Sequence, residues 1–477
     1  MNDNNSVLRM YRKKQYFAGL SAALTFMFTG ATLSWPSPAI PKFNNGEANI
    51  QITNEETSWV VSLLSAGALL GCLLGQVLSE RVGRRRTFLL SAAPGLLGAS
   101  IILFTKTPLL MCLARFMIGL TTGSVAVVTM IYITEISDKE IRGALGMTVQ
   151  VMNNSGSLLI YGIGPFVSYS ALNSIIVTIP IVYALCCFWL PESPYYHLKD
   201  GRVAEARKEF MYLKGCNSEK WVDDQLDVIR AHVKESMENK TTVTELLTNK
   251  MYRKSIYIVA GLKWLQYMTG ILVIQSFLEQ IFRQSSSISG PRASIIYGVV
   301  QLGAGIAATF LSRWFKRRIL LLTSCLGVSV SMTVVGIYFY LQDVVKVTPE
   351  TLKLISSLPL IGLMGFNVLY AVGVGNLPYV LQAELFPVNV KTVASSLATQ
   401  FACILSFVVT KFYLRFRDVF GHHSVFFSFA CIGYIGVAFI FFIVPETGNK
   451  TLEEVQDKLK DEINLETQAL RDKSQDE

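Results

Sequence analysis

Charge is what this sequence has least of. Only 16% of its 477 residues are Asp, Glu, Lys or Arg, where a soluble domain carries about 25%. That shortfall excludes an ordinary large soluble fold. With 51% hydrophobic residues and a mean hydropathy of +0.41, it points to lipid as the surroundings of most side chains. The formal net charge of +9 does not make a nucleic-acid binder. That needs Lys and Arg gathered on one soluble face, and here they sit in short clusters between apolar runs. The eight cysteines include no C-x-x-C pair, and all but Cys216 lie inside apolar runs, so they read as small buried hydrophobes rather than metal or disulfide chemistry. No nucleophile–base, metal-ligand or phosphate-loop pattern occurs, which sets enzymes aside and implies no metal and no cofactor.

Long apolar runs are what the sequence has instead. Runs near the 20 residues that cross a bilayer fall at 16–36, 59–80, 87–106, 108–131, 143–165 and 172–190, then at 254–281, 293–315, 318–341, 352–379, 391–414 and 424–444. The pattern predicts an all-α membrane protein with about twelve transmembrane helices. Its parts are an N-terminal segment (1–15), a six-helix bundle (16–190), a linker (191–253), a second six-helix bundle (254–444) and a tail (445–477). The linker is the one long stretch that no membrane absorbs. Charges recur in it about every third residue, and Val203, Ala206, Phe210 and Leu213 fall at helical spacing, so short amphipathic helices are expected. The end from Glu453 reads as a short helix and a disordered tail. Lys and Arg concentrate on one set of loops, which places the linker and both termini in the cytoplasm. The chain reads as a multi-pass plasma-membrane protein, a monomer with an uncleaved first helix.

The two bundles repeat one another. Tyr132-Ile133-Thr134-Glu135 is followed by Arg142, and Leu381-Gln382-Ala383-Glu384 by Lys391, at the same spacing. Pro191-Glu192-Ser193 is matched by Pro445-Glu446-Thr447, and Arg84-Arg85-Arg86 by Lys316-Arg317-Arg318. Two pseudo-symmetric six-helix halves of this kind are the signature of a secondary transporter with its site between them. On the cytoplasmic side the first half then presents Glu80, Arg84, Arg85, Glu135, Arg142 and Glu192. Against them stand Arg317, Arg318, Glu384, Lys391 and Glu446. Charge pairs at a wet rim contribute about 0–1 kcal/mol each, which suits a gate that must open and close.

Acids are absent near the midplane of every span, which favours facilitated diffusion over proton coupling. Two cations lie inside spans. Arg115 reads as structural. Lys263 either snorkels its ammonium out of the membrane or, three residues before Gln266 on the same helical face, brings positive charge toward a cavity. A site for a neutral polyol needs amides, hydroxyls and aromatic faces. The mid-helix candidates are Gln150, Asn153 and Asn154 on the fifth span, Gln266, Tyr267 and Thr269 on the seventh, Gln301 on the eighth, and Asn376 and Tyr379 on the tenth.

These residues spell a family. Glu80-Arg81-Val82-Gly83-Arg84-Arg85, Arg115-Phe116-Met117-Ile118-Gly119, Pro191-Glu192-Ser193-Pro194 and Pro445-Glu446-Thr447 with Lys450-Thr451-Leu452-Glu453 resemble the sugar porters of the major facilitator superfamily, over nearly the whole chain. Ser37-Pro38-Ala39 and Phe407-Val408-Val409-Thr410-Lys411 are similar to the insect facilitated trehalose transporters within it. The resemblance implies a uniporter of trehalose or a hexose. It also implies sugar contacts at Gln150, which matches the family's glutamine on the fifth helix, and at Gln266, which matches the first of its paired glutamines on the seventh.

The family pattern is altered elsewhere. Tyr267 replaces the second glutamine, Leu272 an asparagine, Gln301 another asparagine, and Asn376 and Tyr379 a proline and a tryptophan. Each lost hydrogen bond to sugar is worth about 0.5–1.5 kcal/mol. A carrier of another small organic solute, for which Lys263 suits an anion, and a non-transporting nutrient sensor are the alternatives that keep the fold.

Overall fold

The computed structural model describes residues 2–446 except 49, 215–218, 239–242, 249, 286–288 and 387. The tail from 447 onward, including the expected short helix after Glu453, lies outside the described residues. The first half comprises α1 (Asn2–Ser34), α2 (Pro36–Asn44), α3 (Asn54–Arg81), α4 (Arg84–Phe104), α5 (Pro108–Ile136), α6 (Lys139–Ile163) and α7 (Tyr169–Phe188). The linker folds as α8 (Pro194–Lys199), α9 (Val203–Lys214), α10 (Glu219–Glu238) and α11 (Val243–Thr248). In the second half come α12 (Lys250–Met268), α13 (Ile271–Ser285), α14 (Gly290–Trp314), α15 (Arg317–Tyr340), α16 (Pro349–Leu354), α17 (Leu358–Val372), α18 (Leu377–Leu385) and α19 (Val388–Ile443).

Ten stretches among the described residues are long and apolar enough to cross a membrane, against about twelve expected. The difference has two causes. The 51-residue stretch Val393–Ile443 is two crossings joined at Gly421, whose φ of 83° turns the chain. The helix α6 falls short because Gln150, Asn153 and Asn154 lower its hydropathy, as polar residues do in a helix that lines a cavity. The first crossing also runs further than expected, since Pro36 starts α2 directly after α1.

Breaks inside spans decide where polar groups point. Between α12 and α13 the chain turns at Gly270, with φ 90°. A Cβ there would meet the Phe429 ring at 2.4 Å, so only glycine fits. Between α17 and α18 the backbone is unwound, and its freed groups are taken up locally. Ser324 Oγ accepts the Val374 N–H at 3.0 Å, Asn376 Nδ2 donates to the Ala371 carbonyl at 3.0 Å, and the Gly375 N–H donates to the Tyr370 carbonyl at 2.7 Å. Non-helical backbone at membrane depth survives under that condition.

Within the first half, α3 and α5 pack backbone to backbone through Gly67, Gly71, Gly119 and Gly123, the small-residue route to close helix pairs in lipid. The halves meet where α6 packs on α14, α3 on α19 and α2 on α13. The linker helices bury Leu198, Ala206, Phe210, Val222 and Leu226 among themselves. They attach to the first half through the ion pairs Lys199–Glu80, at 3.2 Å, and Lys214–Asp138.

Candidate functional site

A cavity lies between the halves. The first half contributes Gln150, Asn153 and Asn154 from α6. The second contributes Gln275 from α13, Gln301 and Gly305 from α14, Asn367 and Tyr370 from α17, and Gly375 and Asn376 from the break. Among the described residues no acid or base lines it. Gln150 Nε2 donates to Asn154 Oδ1 at 3.0 Å, and Asn154 Nδ2 reaches across the halves to the Gln301 carbonyl at 3.1 Å. Gln301 itself is 7% exposed, and its Oε1 has no hydrogen-bond partner among the described residues. A buried acceptor left unmatched on a cavity wall is a position for a solute donor.

Among the residues singled out from sequence, Gln150, Asn153, Asn154, Gln301 and Asn376 come together on this wall. Gln266 lies just behind it. Its Oε1 accepts from Lys263 Nζ at 3.2 Å and its Nε2 donates to the Gly375 carbonyl at 2.7 Å, so both ends of the amide are occupied within the second half. Tyr267 and Tyr379 hold each other by their hydroxyls at 3.2 Å. The Thr269 hydroxyl is fully buried and donates to the Gln266 carbonyl at 3.4 Å, away from the cavity.

Lys263 does not snorkel. It is 1% exposed, because the bond to Gln266 and the Tyr379 ring, 3.3 Å from Nζ, hold it inside. Arg115 is equally buried and donates to the Val60 and Thr32 carbonyls at 3.1 and 2.8 Å, tying its own span to two neighbouring helices, the structural role expected for it.

Sequence reasoning missed Gln275 and Asn367. Gln275 lies nine residues after Gln266, which on one continuous helix is about 180° around the axis. The turn at Gly270 re-aims it onto the cavity. Asn367 is a single amide inside a strongly apolar run, and its Nδ2 donates to the Tyr297 carbonyl at 3.1 Å. No periodic signal marks it. The buried acid Glu279 also stands out only in three dimensions. It is 1% exposed near the end of α13, paired with Arg283 at 2.7 Å, and its backbone N–H donates to Ser37 Oγ at 3.1 Å.

The charged motifs on the linker side pair within each half rather than between halves. Arg84 binds Glu135 at 2.6 Å, and Arg317 binds Glu384. The Arg84 N–H donates to Glu192 at 2.8 Å, and the Arg318 N–H to Glu446 at 3.2 Å. Arg85 and Arg318 each also donate to a carbonyl, Phe188 and Phe441 respectively. Glu80 meets the linker's Lys199, and Arg142 donates to the Ser137 carbonyl at 3.3 Å. The side chain of Lys391 lies outside the described residues. Burial first, then the charge of nearby Glu192, pushes the linker carboxyl of Glu209 above its ordinary value. Across the halves, Ser396 Oγ donates to Gln76 Oε1 at 2.8 Å on the linker side, and a charged contact fastens the opposite end. There Lys411 Nζ lies 2.8 Å from Ser58 Oγ, 3.4 Å from Glu55 and 3.9 Å from the Trp59 ring centre.

Comparison with known proteins agrees with this architecture. The sequence profile described as "Sugar (and other) transporter" matches residues 16–459. The chain belongs to this sugar transporter family. Family membership makes it a multi-pass membrane carrier and not an enzyme. This sugar transporter is 31% identical to the facilitated trehalose transporter Tret1 of Bombyx mori, over 94% of its own length and 88% of that protein. It is 29% identical to the Tret1 of Apis mellifera ligustica, over 93% and 87%. It spans about half (51%) of the Tret1 of Drosophila willistoni. Among solved structures it superposes on the inward-open xylose transporter XylE of E. coli with a TM-score of 0.76, at 18% identity over 93% of this chain and 99% of that one. That likeness is one of fold, the major facilitator fold.

Proposed function

We propose that this protein is a facilitative uniporter of a sugar, trehalose or a hexose, working by alternating access. We place it in the plasma membrane as a monomer that binds no nucleic acid, with the linker and both termini cytoplasmic. One observation carries the choice of a neutral polyol. The cavity wall is built from amides and a tyrosine without a charge, and it offers the unmatched acceptor Gln301 Oε1. The names of the relatives supply the solute class.

In this reading the sugar enters from the linker side, because the halves are fastened at the other end by Lys411, Trp59 and Ser58. Its hydroxyls bridge Gln150 of one half and Gln301 and Asn376 of the other. Holding both halves at once lowers the energy of the closed intermediate, and a solute shifts such an equilibrium only by its differential affinity for the two states. On the linker side Glu80, Arg84, Arg85, Glu135, Arg142 and Glu192 face Arg317, Arg318, Glu384, Lys391 and Glu446 as the gate. Pairs now closed within each half rearrange as the halves approach.

Counterflow in proteoliposomes with labelled trehalose and glucose tests this. Exchange down a gradient, unchanged by an imposed pH difference, is expected. Binding without flux would leave a sensor, and accumulation driven by a proton gradient would remove the uniporter.

A further inference from the structure

Among the described residues no carboxylate is paired with the Lys263 ammonium. Arg115, the other cation inside a span, is matched by two carbonyls and lies over the Trp35 ring. The Lys263 ammonium has three donors. One goes to Gln266 Oε1, and the Tyr379 ring face covers the group. No Asp or Glu among the described residues forms an ion pair with it. An ammonium taken out of water without an anion is costly, several kcal/mol, and an ionisable group inside a membrane marks a functional site.

Its place is next to the cavity. Gln266, its partner, is bonded to Gly375, and Gly375 and Asn376 are part of the cavity wall. Tyr379 follows Asn376 by three residues and is 50% exposed. The ring of this one exposed side chain, pinned by its hydroxyl to Tyr267, covers the ammonium.

We propose that the cavity accepts polyhydroxylated solutes carrying one carboxylate, of the hexuronate or aldonate class, with Lys263 as the partner of that carboxylate. This rests on the reading of the cavity as the sugar site and names a further class of solute for it. A monoanion fits better than a dianion because, among the described residues, no cation lines the wall itself and Lys263 stands behind it. The carboxylate takes the place of the Tyr379 face at Nζ, and the hydroxyls keep the amides that a neutral sugar uses.

The test is exchange of labelled glucuronate and labelled glucose by the purified full-length protein in proteoliposomes, with wild type, Lys263→Gln and Lys263→Arg. Wild type is expected to exchange both. Net uptake of glucuronate, measured without internal solute, should respond to an imposed membrane potential, since it moves charge. Lys263→Gln should lower the ratio of glucuronate to glucose uptake roughly tenfold or more, and Lys263→Arg should keep that ratio near the wild-type value. A ratio unchanged in Lys263→Gln reduces Lys263 to a support for Gln266 and overturns the proposal. Wild-type exchange of glucose or trehalose with none of glucuronate overturns it too, without any variant, and leaves the sugar reading standing. Glucuronate exchange with no neutral sugar supports the anion partner and removes the neutral-sugar reading instead.

Discussion

Glu192 caps the helix that begins at Arg84. One carboxylate oxygen accepts the Arg84 N–H at 2.8 Å and the other accepts the Arg85 N–H at 3.1 Å. Glu446 does the same for the Arg318 N–H at 3.2 Å. A carboxylate at a helix N-terminus satisfies free N–H groups and sits in the favourable end of the helix dipole. The matched motifs in the two halves are therefore matched caps, each beside an arginine–glutamate pair.

Replacing Glu192 by Gln keeps the shape and removes the charge. The expected loss is about 0.5–2 kcal/mol of stability, seen as a lower thermal midpoint of the detergent-solubilised protein. A midpoint equal to wild type would mean that the cap adds nothing.

Glu209 is expected to act in the opposite sense. Its carboxyl is raised by burial and by Glu192, so the folded state favours the protonated form. The stability this contributes is full below the unfolded value and is lost as pH rises through the folded value. Glu209→Gln should therefore raise the thermal midpoint at pH 7.5, and the gap to wild type should close toward pH 4.5. A gap that widens on acidification would reverse the assignment.

Gln301→Ala should weaken solute binding without weakening the fold. The side chain leaves Oε1 unmatched, and the cross-half bond from Asn154 goes to its backbone carbonyl, which alanine retains. Loss of one hydrogen bond to a neutral solute predicts an increase in KM of about two- to tenfold, with the thermal midpoint held. Equal KM values would take Gln301 off the solute's path.

Lys411 fastens the end away from the linker, through Ser58, Glu55 and the Trp59 ring. An exposed ion pair alone is worth about 0–1 kcal/mol, and the cation–π contact adds a similar amount. Lys411→Met should shift the equilibrium toward opening at that end. A cysteine placed at the buried Ser37 should then react several-fold faster with an impermeant maleimide from that side. An unchanged rate would show that helix packing alone holds it shut.

Much of the architecture could be read from the chain as written. Apolarity of a run is a sum over its own residues, so membrane crossings are visible locally. Even the crossing that falls below the threshold, α6, was found there, and its deficit is the amides Gln150, Asn153 and Asn154 that reach the cavity. The repeated acid and base motifs were equally visible, because each is a short string. Their partners were not. The pairs Arg84–Glu135 and Arg317–Glu384 join helices within one half, and spacing along the chain says nothing about which of several charges on one rim will meet.

The cavity divides the same way. The apolar runs and the repeated charged motifs determined a two-halved membrane carrier, and the lack of acids within the runs pointed to a polar interior without carboxylates, since burying charge in lipid is unfavourable. Only the tertiary structure decided that Gln275 joins the wall, that the Gln266 amide is occupied behind it, and that Lys263 stays buried beneath Tyr379. Each of these depends on a turn or an unwound segment, at Gly270 and at Gly373–Asn376, that rotates one helix segment against the next. A periodicity measured along an unbroken helix cannot carry that rotation.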